Sequence, residues 1–288
     1  MIVNLHDSNF SQSVCSTAYQ QPQYIEYVRG LRDFDGVTLF TDEWINNPIV
    51  DQVKSKYKIG WLREPYCLHP DTYQAALLNR HKFDFILTYY EPFLSLEPEK
   101  RASGEWAYLF KFAPYGGTWV AREEWGIRPK TKLCSMLIGS KMSTEGHRLR
   151  HEIADMLERA KFPVDFYGNR GLQTDYSQKT KLAVLADYHY SIVTETCRED
   201  NLFTEWLLDC FAAGAIPVFW GAPNIGDFFN SEGIASFANL RELLTTLPYL
   251  TVENYDVVSG AVEDNLQRMG DYAVTEDWLY LNVLKDLE

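Results

Sequence analysis

Residues 188–220 constrain the fold more than any other stretch, because two apolar runs flank a segment with helical periodicity. The runs at 188–194 and 215–220 contain the β-branched and aromatic residues that strands favour. Between them, apolar side chains recur at the spacing of one buried helix face: Phe203, Trp206, Leu207, Cys210 and Phe211. Gly214 follows this face and ends the predicted helix. The stretch therefore predicts a strand–helix–strand unit with parallel strands and a right-handed crossover.

The rest of the chain alternates predicted strands and helices in two blocks. The first block has strands at 1–5, 37–40, 57–62, 83–89 and 108–112, and helices at 47–56 and 70–82. The second block adds strands at 132–139, 164–167 and 233–237, and helices at 144–161, 179–187, 240–246, 252–269 and 276–287. A charged stretch with a glycine and a proline, 121–132, is the predicted linker. We therefore predict an α/β protein with two open-sheet domains, 1–130 and 131–288, the second ending in helices.

The charge balance limits the classes of partner. The 288 residues include 27 Lys and Arg against 40 Asp and Glu, a net charge of −13. An acidic surface repels nucleic acid and anionic membranes, so we expect neither as a partner. The five cysteines are scattered and odd in number, which is typical of free thiols in a reducing compartment. Because no apolar run reaches the ~18 residues of a membrane span, we expect a soluble, cytoplasmic protein.

Polar residues follow the first strand of the central unit, where ligands bind in parallel sheets. Such ligands lie outside the carboxyl ends of the strands. Glu195 comes directly after the predicted strand, and Glu205 lies in the first turn of the predicted helix. A carboxylate in a first helical turn is also stabilised by the helix dipole alone. The position of both residues favours a binding role.

The central stretch resembles the α-1,3-fucosyltransferase family, glycosyltransferase family 10. Glu195 falls on the glutamate of the family's Phe-Glu-Asn segment, and Thr204-Glu205 falls on its Thr-Glu pair without a gap. Residues 216–221 match the family's hydrophobic strand, which contains a proline and ends in glycine. The chain departs from the family at three positions associated with the donor nucleotide, where Asn, Tyr and Lys are replaced by Thr196, Leu202 and Trp206.

The resemblance implies a GT-B fold, in which two Rossmann-like open-sheet domains face a cleft, in a soluble enzyme of the bacterial or viral kind. It implies an inverting glycosyltransferase that moves L-fucose from a GDP-fucose donor to a hydroxyl of a glycan acceptor. It implies no cofactor and no metal, because an arginine can neutralise the diphosphate. Two alternatives stay open: a transferase that uses another nucleotide sugar, and a non-catalytic sugar or nucleotide binder on the same scaffold.

The resemblance also suggests which residues bind the donor. The helix after the first strand of the second domain bears the family's diphosphate arginine, and its frame falls on Arg150. Arg148 is a second candidate on that helix, and Asn169 follows the next strand in a turn. Glu205 would accept hydrogen bonds from the ribose hydroxyls. The alternative for the arginines is a solvated helix face paired with nearby glutamates.

A carboxylate in the first domain is the candidate catalytic base. The family has its proposed base in a Glu-x-Pro segment, and here Glu64 precedes Pro65 after a predicted strand. Glu91, which precedes Pro92, is the competing candidate. No metal site is predicted, because His147 and His151 lie one helical turn apart without a clustered third ligand.

Overall fold

The structure is a computed structural model that describes residues 1–11, 13–100, 103–172 and 178–288. The chain forms two compact units, each with a parallel sheet. Unit 1 comprises residues 1–115 and 274–288, and unit 2 comprises residues 116–273. Within the described ranges, no helix is both long and apolar enough to cross a membrane.

Unit 1 contains a six-stranded parallel sheet with the order β2-β1-β3-β4-β5-β8. Its strands are β1 Ile2–His6, β2 Glu26–Arg29, β3 Asp33–Thr41, β4 Lys54–Trp61, β5 Phe85–Thr88 and β8 Phe110–Phe112. A separate antiparallel pair is formed by β6 Glu99–Lys100 and β7 Trp106–Ala107. The helices of this unit are α1 Ile49–Gln52, α2 Pro70–Asn79, α3 Glu91–Leu94 and α10 Thr275–Leu279.

Unit 2 contains a five-stranded parallel sheet with the order β10-β9-β11-β12-β13. Its strands are β9 Lys132–Ile138, β10 Asp165–Gly168, β11 Tyr188–Thr194, β12 Ile216–Trp220 and β13 Ala235–Ser236. Its helices are α4 Glu145–Ala160, α5 Gln178–Ala183, α6 Glu205–Ala212, α7 Leu240–Thr246, α8 Val252–Val257 and α9 Ser259–Met269. The predicted strand–helix–strand unit is confirmed, since β11 pairs in parallel with β12 across α6.

Alternate residues of the unit 2 strands enter two separate cores, so helices cover both faces of this sheet. On β9, Met136 and Ile138 pack with α4 residues such as Ile153, whereas Leu137 packs with the α6 residue Leu207. In both units the strand order reverses after the first strand, as in flavodoxin-like sheets rather than the dinucleotide-binding order. The switch points lie between β1 and β3 and between β9 and β11.

The predicted division at 130/131 is wrong at its boundary, because the proposed linker is built into unit 2. Within the proposed linker, the main-chain N–H of Gly126 donates to the carbonyl of Ala212 at 2.9 Å, and before it the N–H of Gly117 donates to the carbonyl of Tyr272. Val120 lies fully buried in the core that α6 packs against. Charge, Gly and Pro content do not reveal such long-range hydrogen bonds, so unit 2 begins fifteen residues before the predicted position.

The C-terminal residues were also assigned to the wrong domain, since 274–288 return to unit 1. Leu279 and Leu284 lie in the unit 1 core, and Trp278 packs edge-on against Phe112 at 5.4 Å between ring centroids. A carboxylate oxygen of Glu276 accepts the N–H of Ser16 at 2.6 Å. The predicted helix 276–287 is only partly confirmed, because α10 ends at Leu279 and a π turn follows at 280–284.

Two local predictions for unit 1 fail because sheet pairing overrides local pattern. The predicted helix 47–56 is limited to α1, and Lys54 begins β4, where it pairs with Asp33 of β3. The edge strand β2 was not predicted, because its largely half-buried side chains show no alternation of apolar and polar residues.

The assignment of the C-terminal residues to the unit 1 core predicts a contrast between two leucines. Leu279 is fully buried and Leu281 is 44% exposed. Leu279→Ala should lower the free energy of unfolding by about 2–5 kcal/mol, because it leaves a cavity. The control Leu281→Ala should change it by less than about 0.5 kcal/mol. Urea unfolding of both variants measures this, and equal effects would show that Leu279 does not pack in the core.

Candidate functional site

The guanidinium of Arg150 lies at the switch point of the unit 2 sheet. Its Nη2 donates to the carbonyl oxygen of Thr194, the last residue of β11, at 3.1 Å. Its Nη1 lies 3.6 Å from the position that a Cβ would take on Gly139, which follows β9. Because β9 and β11 flank the point where strand order reverses, Arg150 occupies the place where doubly wound sheets bind ligands.

The helical spacing of α4 explains why Arg150 points inward. It shares a helix face with Ile153, Ala154 and Leu157, all of which are buried in the core. Arg148 points outward, is exposed, and donates from Nη1 to the carbonyl of Ser143 at 3.2 Å. The structure therefore separates the two arginine candidates, since Arg150 alone lies at the switch point.

The first turn of α4 approaches the end of β11 closely. The N–H of Gly146 donates to the carbonyl of Thr196 at 3.1 Å. A Cβ on Gly146 would lie 1.8 Å from the carbonyl oxygen of Glu195, so only glycine fits here. Thr144 caps the helix by accepting the N–H of His147. The ring of His147 hydrogen-bonds with Ser143 at 3.1 Å, and burial lowers the pKa of this histidine to about 4.

Glu195 is buried, and Thr204 holds both of its carboxylate oxygens. Oε1 accepts the main-chain N–H of Thr204 at 2.9 Å, and Oε2 accepts its hydroxyl at 2.8 Å. Thr204 also caps α6 by accepting the N–H of Trp206. Burial raises the pKa of Glu195 to about 7; the charge of Glu205 adds to this shift, and Thr204 and Arg150 oppose it. Glu195 thus fastens the end of β11 to the start of α6.

Glu205 lies in the first turn of α6 beside a buried lysine that the sequence analysis missed. Lys181 Nζ is 3.9 Å from Glu205 Oε1 and 3.2 Å from Asp209 Oδ2. Burial raises the pKa of Glu205, and the charge of Lys181 partly opposes this. Asp209 Oδ1 accepts hydrogen bonds from the hydroxyl of Thr118 and the N–H of Trp119. The signal for this cluster was Asp209, because an acidic residue among the apolar residues 206–212 is buried only with a partner.

Trp206, predicted to be a core residue, is half-buried and contacts two cations. Lys181 Nζ lies 3.9 Å from its ring centroid, and Arg150 Cζ lies 5.2 Å from it. Lys181 also lies 4.8 Å from the ring of Trp119. The face of an indole attracts cations most strongly where water is excluded. Trp206 therefore helps to hold both positive groups near the carboxyl edge of the sheet.

Asn169 lies at the same edge of the sheet but outside this cluster. It follows β10, is exposed, and donates its main-chain N–H to the carbonyl of Ile138 at 2.8 Å. The structure thus brings together Arg150, Glu195 and Glu205, places Asn169 nearby on the edge, and leaves Arg148 on the outer surface of α4.

Unit 1 has its own group of charged residues at the carboxyl edge of its sheet. Glu64 follows β4 and is half-buried; its N–H donates to Asp42 Oδ1 at 3.1 Å, and its carbonyl accepts the hydroxyl of Tyr73 at 2.9 Å. The competing Glu91 begins α3, is exposed, and accepts the hydroxyl of Ser95 at 2.6 Å. Both glutamates lie beyond strand ends, and the main chain of Glu64 is held by a buried carboxylate.

Asp42, which the sequence analysis missed, lies beside a buried arginine. Burial raises the pKa of Asp42 to about 6, and the charge of Arg63 opposes this. The Arg63 guanidinium lies 5.0 Å from the ring centroid of Phe10, 5.1 Å from that of Trp61 and 5.6 Å from that of Tyr115. The available signal was position alone, because Asp42 lies two residues after the end of the strand that was predicted at 37–40.

Residues 127–257 match the family model of glycosyltransferase family 10 (fucosyltransferase), C-terminal part. We call residues 127–257, the segment that is similar to this family, the family 10 domain. This family 10 domain includes β9 to β12, α4 and α6, and with them Arg150, Glu195 and Glu205. The central stretch of the resemblance, residues 195–221, therefore lies in the matched segment, whereas Glu64 lies outside it.

The chain is 26% identical to the α-(1,3)-fucosyltransferase FucT of Helicobacter pylori over 91 residues. These residues make up 31% of this chain, and the match spans only 19% of the H. pylori enzyme.

Solved structures extend the likeness beyond the family 10 domain. An α1,3-fucosyltransferase with GDP matches 96% of this chain and 92% of its own length, at a TM-score of 0.55 and 13% identity. An α1,3-fucosyltransferase with GDP-fucose matches 92% and 81%, at a TM-score of 0.55 and 14% identity. At such low identity the likeness concerns the fold, which is the GT-B fold predicted from the sequence.

The buried Glu195 of the family 10 domain predicts a specific dependence of stability on pH. In the folded protein the Glu195 carboxyl keeps its proton up to about pH 7, whereas in the unfolded chain it releases the proton near the ordinary glutamate pKa of 4.5. Between these values the folded state binds more protons, so the contribution of Glu195 to stability is lost as pH rises. In Glu195→Gln this component should vanish. Urea unfolding from pH 4.5 to 7.5 tests this, and a constant difference between the two proteins would contradict it.

Proposed function

We propose that the protein is an inverting glycosyltransferase that moves L-fucose from GDP-fucose to a hydroxyl of a glycan acceptor. One observation supports the proposal above all: Arg150, in the segment that matches the family 10 model, lies at the switch point of its sheet, where doubly wound sheets generally bind ligands. The five free cysteines support an enzyme that works in the reducing cytoplasm. In this proposal the diphosphate donor binds to unit 2, and the acceptor uses residues of unit 1.

Arg150 would bind the diphosphate of the donor. A guanidinium can donate two parallel hydrogen bonds to phosphate oxygens and balance the charge that develops on the leaving group. In a protein with a net charge of −13, a dianionic ligand needs such local cations. Glu205, in the first turn of α6 and 14% exposed at its side chain, would accept hydrogen bonds from the ribose hydroxyls. Glu195 would act indirectly, since Thr204 occupies both of its oxygens.

Glu64 would act as the general base. It would take the proton of the acceptor hydroxyl while the acceptor oxygen forms a bond to the anomeric carbon of fucose. The bond from that carbon to the diphosphate oxygen breaks at the same time, and GDP leaves with the electron pair. Attack from the face opposite the leaving group inverts the anomeric configuration. Arg150 would stabilise the departing diphosphate through its charge.

The two arginines of α4 provide a matched test of donor binding. Arg150→Ala should weaken GDP binding about ten- to a hundred-fold, because a charge-assisted hydrogen bond contributes ~1.5–3 kcal/mol. The control Arg148→Ala removes the same charge from the exposed face of the helix and should change the affinity less than about threefold. Isothermal titration calorimetry with GDP measures both. Unchanged affinity in a folded Arg150→Ala variant would exclude the proposed diphosphate site.

The two glutamates of unit 1 provide a matched test of catalysis. Glu64→Gln keeps the shape of the side chain and removes its basicity, so turnover should fall by about 10²–10⁴-fold while GDP affinity stays unchanged. Glu91→Gln should retain wild-type turnover. The assay is GDP release from GDP-fucose with the most active oligosaccharide of a glycan panel. Loss of turnover in Glu91→Gln instead would identify Glu91 as the base.

Another nucleotide sugar is the second candidate donor. Thr196, Leu202 and Trp206 stand at family positions associated with the nucleotide, and Leu202 is fully buried. Binding of UDP or another nucleoside diphosphate in preference to GDP would favour this candidate. Nucleotide binding without any sugar transfer would favour a non-catalytic binder.

A further inference from the structure

The carboxylate of Asp42 joins three segments of unit 1. Its Oδ1 accepts the main-chain N–H of Arg63 at 2.8 Å and that of Glu64 at 3.1 Å. Its Oδ2 accepts an N–H from the side chain of Asn9 at 3.0 Å. Asp42 follows β3 directly, and the last residues of β3 and β4, Thr41 and Trp61, are paired in the sheet. Asp42, directly after β3, therefore holds the main chain at residues 63–64, which follow β4.

The backbone of Asp42 is in a conformation that residues with a side chain rarely adopt. Its φ is +42°, in the left-handed region, although it is not glycine. Such strain persists where the surroundings over-determine it, and it clusters at functional sites. Asp42 is also only 3% exposed, so a charge is buried here in addition to the strain. Burial, charge and backbone strain thus coincide at Asp42.

Two charged groups that act on Asp42 are Arg63 and Glu64, the same two residues whose N–H groups it binds. Arg63 is buried among aromatic rings, and its positive charge stabilises the Asp42 carboxylate, whereas the Glu64 carboxylate repels it. A buried carboxylate with this counter-ion and three hydrogen bonds is tightly placed. Glu64 is also held at its carbonyl by the hydroxyl of Tyr73. The Glu64 main chain is thus fixed on both sides of its side chain.

We propose that Asp42 is a positioning residue for catalysis, which holds the main chain of Glu64 so that its carboxylate meets the acceptor hydroxyl. The inference rests on the proposed function, because it gives Asp42 a role only through Glu64. A base must lie within hydrogen-bond reach of the proton that it takes, and displacement by about 1 Å can lower the rate by about a hundred-fold.

Three substitutions of Asp42 separate positioning from stability. Asp42→Ala and Asp42→Gly both remove the acceptor for the N–H groups of Arg63 and Glu64, but glycine accommodates a φ of +42° and alanine does not. Asp42→Asn keeps an acceptor oxygen. Turnover of GDP-fucose should fall about 10- to 100-fold in both the alanine and the glycine variant, although the glycine variant should have the higher Tm. The asparagine variant should regain most of the turnover.

A double-mutant cycle tests whether the effect passes through Glu64. In a Glu64→Gln background, Asp42→Ala should lower turnover no further, because the base is already absent. An equal fall in both backgrounds, or turnover that follows Tm across the variants, would overturn the proposal.

Amide hydrogen exchange tests the hold without an activity assay. Exchange at Arg63 and Glu64 should be at least about tenfold faster in Asp42→Ala than in the wild type or in Asp42→Asn. Unchanged exchange in Asp42→Ala would overturn the proposal even if turnover falls. Faster exchange in a protein that neither binds GDP nor turns over GDP-fucose would show that the hold exists and that the proposed function is wrong, and the catalytic role of Asp42 would be rejected with it.

Discussion

The pair of hydrogen bonds between Glu195 and Thr204 is the interaction on which the unit 2 site depends. It joins the carboxyl end of β11 to the N-terminus of α6 and satisfies both oxygens of a buried carboxylate. Thr204 in turn caps α6, so the same contact sets where Glu205 and Trp206 begin the helix. Burial disfavours the charge on Glu195 and raises its pKa to about 7. The hydrogen bonds to Thr204 fix the start of α6, but burial of Glu195 makes the folded state less stable at neutral pH than at acidic pH.

Aromatic rings and buried carboxylates stabilise two cations, Arg150 and Lys181, at the carboxyl edge of the unit 2 sheet. Trp206 contacts both Lys181 and Arg150, and Asp209 pairs with Lys181 at 3.2 Å. A buried ammonium group is stable only with such partners. The mutual contacts explain how a chain with thirteen excess negative charges can present a positive group at the switch point. Unit 1 stabilises a buried cation in the same way, since Arg63 is surrounded by aromatic rings beside the buried carboxylate of Asp42.

The sequence predicted the elements of unit 2 better than those of unit 1. The helical spacing of α4 and α6 reflects burial of one face, which is a local property, and both helices were predicted close to their observed bounds. The short α1, the edge strand β2 and the π turn at 280–284 depend on contacts with distant segments. Residues 116–130 and 274–288 were assigned to the wrong domain for the same reason, because hydrogen bonds and core contacts that join distant residues leave no local pattern.

By itself, the sequence determined the α/β class, the strand–helix–strand unit and the family resemblance that singled out Arg150, Glu195, Glu205 and Glu64. Periodicity and motif spacing carry this information because they record which side chains are buried along one segment. Only the tertiary structure decided that Arg150 and not Arg148 faces the switch point. It also decided that Lys181 belongs to the charged group of unit 2 and Asp42 to that of unit 1. These placements depend on which strand ends lie side by side. Strand order is set by packing of the whole sheet, which no single segment encodes.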